Sequence, residues 1–73
     1  MATVIIGNVN CLNEHKLDVV AGEFGYKGMV RVVDECTRSI RRIANCTQDH
    51  RDFQSMIGLY AMSGFTVTVN YDD

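Results

Sequence analysis

Two Cys-x-x-x-His pairs, Cys11 with His15 and Cys46 with His50, are the residues of this chain best equipped for chemistry. Thiolate and imidazole are zinc ligands, and four of them can surround the metal tetrahedrally. Neither spacing fits a common finger, and both cysteines fall in expected connections, so surface histidines and packed thiols are the plainer reading. Cysteine with histidine also suits nucleophilic catalysis, but that chemistry needs a cleft, an orienting acid and oxyanion donors as well. No spacing in the chain supplies them. Gly22, Gly25 and Gly28 stand three apart, match neither GxGxxG nor a Walker loop, and read as turn residues. The expectation is a non-enzymatic protein with no catalytic, cofactor-binding or metal-ligating residue.

The most distinctive set is basic: Lys27, Arg31, Arg38, Arg41 and Arg42. Arginine recognises carboxylate and phosphate with two parallel hydrogen bonds, which makes these five the candidate partner-binding residues. The competing reading is a solvated helix face with cations near its C-terminal end, where they complement the dipole. Residues 27 to 51 carry a net charge of +3, between −2 for residues 1 to 26 and −3 for residues 52 to 73. A basic middle between acidic ends disfavours wrapping bulk nucleic acid, which calls for a domain-wide positive field. One small basic contact patch is compatible with it.

The clearest helix expected to carry these cations runs from Gly28 to Ala44, with Met29, Val32, Val33, Cys36, Ile40, Ile43 and Ala44 at helical spacing. Arg31 with Glu35 and Asp34 with Arg38 would then be ion pairs four residues apart on its outer face. Asn45, Cys46 and Thr47 break the pattern. Thr47 can cap a second helix that buries Phe53, Met56, Ile57, Tyr60 and Ala61 and stops at Gly64. Its Asp49 and Asp52 oppose phosphate, so this helical hairpin does not resemble a DNA reader. Phe65 to Tyr71 alternates as a strand, and the β-branched segment Thr3 to Ile6 is a second. Lys16 to Ala21 reads as a third strand, or as a short helix through Leu17, Val20, Ala21 and Phe24. The fold class is α+β: a small three-stranded antiparallel sheet covered by a two-helix hairpin, β-β-α-α-β, with β-α-α-α-β as the alternative.

Seventy-three residues allow a single compact domain, 1–73, with no repeat, linker or low-complexity segment. No apolar run approaches the ~20 residues of a membrane span, and no secretory leader is recognisable, which points to the cytosol. Three cysteines, an odd number, are expected to be reduced there, with Cys36 packed as a small hydrophobe.

The chain has 73 residues, no proline, no catalytic signature and a compact arginine cluster. In these features it resembles small bacteriophage-encoded regulators of host RNA polymerase, the Xanthomonas-phage transcription antiterminators that also inhibit initiation. The resemblance implies a non-enzymatic protein in the host bacterial cytosol. It would bind bacterial RNA polymerase near the RNA exit path, disfavour sigma-dependent initiation and promote antitermination with an elongation factor, close to nascent RNA. Neither membrane nor strong sequence-specific DNA binding is expected. The alternatives are a small inhibitor of another host or defence protein, and a metal-dependent nucleic-acid-binding module.

Overall fold

A computed structural model of the protein describes residues 2–43 and 47–71. The elements run β1 (Ala2–Gly7), α1 (Glu14–Glu23), β2 (Val30–Asp34), β3 (Thr37–Arg41), α2 (Thr47–Met62) and β4 (Thr66–Tyr71). The class is α+β, and the strands form one antiparallel sheet in the order β2-β3-β1-β4. β1 and β2 both run antiparallel to β3, so they are parallel to one another with β3 between them. α1 is the crossover that such a parallel pair needs. The same holds for β3 and β4, linked through α2 around β1. This is the interleaved split-βαβ topology of ferredoxin-like folds, which by itself specifies no activity.

Two expected elements are corrected. Gly28 to Ala44 is not a helix within the described residues: it contains the β2–β3 hairpin. Val30, Val32, Val33, Thr37 and Ile40 are β-branched and stiff at χ1, which favours a pleated backbone. Asp34 turns the chain by accepting the Cys36 backbone N–H on Oδ1 at 3.0 Å. Cys36 is therefore exposed at a turn rather than packed in a helix. Of the two readings of Lys16 to Ala21, the helix is the one that forms and the strand is corrected: the segment lies in α1, whose Leu17, Val20 and Ala21 are buried. The order is thus β-α-β-β-α-β, and the helices are separated by a hairpin instead of forming one. Ala44, Asn45 and Cys46, where the tight turn was expected, lie outside the described residues.

Both helices cover one face of the sheet. Val4 and Ile6 of β1 and Ile40 of β3 are fully buried there against Leu17, Phe53, Met56 and Tyr60. Tyr60 lies edge-on to Phe65, with ring centroids 5.7 Å apart, and its hydroxyl donates to the Leu17 carbonyl at 2.8 Å. That bond ties α2 to α1 while satisfying a buried polar atom. α2 ends as the sequence predicts, with Gly64 at φ +95°, a left-handed conformation that a Cβ would strain. On the other face, Thr3 and Ile5 of β1 stand beside Arg41 and Ser39 of β3 and beside Asn70 and Thr68 of β4. Among the described residues, no helix covers this open face.

Candidate binding surface

The fold divides the five candidate cations among four environments. Arg38 shares the helix-covered face with Ile40 and is only 8 % exposed. Its Nη1 donates to the carbonyls of Asp34 at 2.8 Å and Thr37 at 3.1 Å, while Nη2 lies 3.5 Å from Oε1 of Glu14. Arg38 therefore fastens the β2–β3 turn to the start of α1. The expected exposed site at Arg38 is corrected, because alternation in β3 turns its side chain inward.

Arg42 is also largely enclosed. Its Nε donates to Oδ2 of Asp49 at 3.1 Å, and Oδ1 of that carboxylate accepts the Tyr26 hydroxyl at 2.9 Å. The Tyr26 oxygen in turn accepts the Ile43 N–H at 3.3 Å. This chain joins the end of β3, the first turn of α2 and the segment before β2. Burial, foremost, pushes the Tyr26 hydroxyl up to about 12, with Asp49 adding to the rise. Sequence periodicity gave no sign of the network, since Tyr26 and Asp49 belong to different elements far apart in the chain.

Arg31 and Arg41 remain exposed, and the strand register brings them together. Arg31 pairs with Ser39, two positions from Arg41 on the same strand face. With Thr3, Met29, Ser39 and Ile43 they line a shallow depression of about 480 Å³ that Arg42 borders. Lys27 is exposed elsewhere, lining a groove between α1 and the start of β2. The arginines exposed on the open sheet face are therefore Arg31 and Arg41, and the five cations do not line one helix.

Sheets that read RNA bases place aromatic rings on their central strands. Here the open-face positions of β1 and β3 are Thr3, Ile5, Gly7, Thr37, Ser39 and Arg41, none aromatic. Hydrogen-bonding and charged groups are offered instead of stacking platforms. Cys11, His15 and His50 are exposed, the first just before α1, the second in its first turn and the third early in α2. Cys46 lies outside the described residues. Among the described residues, no three His, Cys, Asp or Glu side chains gather as a metal site. No described helix is long and apolar enough to cross a membrane. Comparison with protein-family models, curated proteins and solved structures finds no match for this chain.

Proposed function

We propose that the protein is a non-enzymatic binding module that docks its open sheet face on an acidic protein surface, and that this surface belongs to bacterial RNA polymerase. The observation that carries the docking face is the pairing of Arg31 and Arg41 around one depression, exposed on a sheet whose other face is filled by helices. Guanidinium groups on a rigid sheet lose little freedom on meeting carboxylates, which favours recognition by paired hydrogen bonds. The polymerase assignment is supported by the whole-chain resemblance to small phage regulators, and it sets the host bacterial cytosol as the place of action.

Such a module acts by differential affinity: it shifts polymerase away from the sigma-bound state only as far as it binds the other state more tightly. The same preference would hold an elongating complex through a terminator, with an elongation factor and nascent RNA alongside. In transcription with purified bacterial polymerase, the wild-type chain should reduce sigma-dependent initiation and raise terminator read-through. The Arg31→Glu/Arg41→Glu variant should do neither. A wild-type chain without effect on either step overturns the polymerase reading, and tight, salt-sensitive binding to a different purified host or defence protein would replace it with the inhibitor reading.

A further inference from the structure

The β2 edge is a second surface, and it holds whichever protein the basic face meets. β2 is the outermost strand, paired on one side only by β3. Among the described residues no backbone hydrogen bond reaches its outer side from another element. Val32 is 73 % exposed and Val33 55 %. Native edges are usually guarded by lysine, proline or a bulge against stray pairing. β2 has neither lysine nor proline, its charged residues are Arg31 and Asp34, and its one irregularity lies between Val32 and Asp34, which leaves Val30 to Val32 in regular register.

A groove of about 620 Å³ runs between this strand and α1, lined by His15, Asp18, Val19, Gly22, Lys27 and Val30 among others. Asp18 and Lys27 balance one another in charge, so the valines set its preference. Val32 extends the apolar wall, since it lies on the same face as Val30. On the opposite face of the same strand stands Arg31, with Arg41 one strand further in.

We propose that the β2 edge and the β2–α1 groove bind an extended peptide whose side chains alternate between apolar and acidic. Unpaired N–H and C=O groups select an extended backbone, which adds as a fifth strand. Side chains of an added strand alternate between the two faces. Every second one then enters the groove against Val19, Val30 and Val32, and the others lie beside Arg31. A second copy of this chain is a poorer occupant: symmetric pairing of β2 with itself places both Arg31 side chains on one face, opposite or diagonal to each other, and like charges there repel.

The test titrates the isotope-labelled full chain with the synthetic peptide Ac-EVEVEV-NH2, against Ac-EEEVVV-NH2 of the same composition and Ac-KVKVKV-NH2. The alternating acidic peptide should give saturable amide shifts at β2, His15 and Val19, and should slow hydrogen exchange along β2. Each of the other two peptides should bind about tenfold more weakly. Arg31→Glu should reverse the preference between the acidic and basic alternating peptides, and Val19→Lys should weaken both, with the spectra confirming that each variant is folded. Equal affinity for the two acidic peptides, shifts confined to the open face, or no binding overturns the proposal. So do β2 shifts that follow protein concentration without peptide, which would assign the edge to a second copy.

Discussion

A guanidinium turned inward and one turned outward have different consequences when lost, and this separates the structural arginine of the hairpin from the one proposed to bind a partner. Arg38→Ala withdraws a donor from the Asp34 and Thr37 carbonyls and leaves Glu14 without its ion pair. Removing one partner from an enclosed hydrogen-bonded set costs about 1–3 kcal/mol, a large fraction of the stability of so small a domain. Urea denaturation should show that loss. Arg31→Glu, at an exposed position, should move stability by no more than about 0.5 kcal/mol while weakening partner binding. Similar midpoints for the two variants would contradict the division. Sequence identified the residue types for a basic site, yet not which of them face outward, because that depends on whether the backbone repeats every 3.6 or every 2 residues.

α2 and β4 were legible because each has one unambiguous period, with a glycine stop for α2, and β1 because it is a β-branched run. The β2–β3 hairpin was not. Met29, Val32, Val33, Cys36 and Ile40 satisfy helical offsets, and the turn contains no glycine, proline or asparagine, since Asp34 performs its work. The density of β-branched residues from Val30 to Ile40 was the signal that could have arbitrated. In α1, Lys16 to Ala21 fits strand and helix spacing alike, and the crossover between parallel β1 and β2 required the helix. Ile40, fully buried in β3, gives the element its energetic test: Ile40→Ala should destabilise by about 2–5 kcal/mol in chemical denaturation. The turn adds a pH test. The Cys36 N–H holds the Asp34 carboxyl below its ordinary value, with the Thr37 hydroxyl second. The turn's contribution is therefore present above the unfolded carboxyl value and is lost as pH falls through the lower folded one. The Cys36 amide signal should follow that titration, and an amide indifferent to acid would contradict the turn.

At the scale of the whole molecule, two helices and one sheet face share a single core that includes Tyr26 and Tyr60, both fully buried. Burial raises both hydroxyls, Tyr26 to about 12 and Tyr60 further, where the Asp18 charge adds to the effect. Folded values above the unfolded ones mean that the stabilisation is full below about pH 10 and lost as pH rises from there. Ultraviolet titration should therefore show Tyr26 and Tyr60 ionising only together with unfolding. Independent ionisation of Tyr26 and Tyr60 near the ordinary tyrosine value, with the fold intact, would contradict the common core. The open face and its two arginines are the outward counterpart of that core, and the central claim is that they form the docking surface. Its most direct test is the fluorescence anisotropy of the labelled chain titrated with purified bacterial RNA polymerase, for wild type and for Arg31→Glu/Arg41→Glu at matched melting temperature. The expected result is saturable binding that weakens with salt and falls at least about tenfold in the double variant. Unchanged affinity in the double variant, or no binding by the wild-type chain, would contradict it.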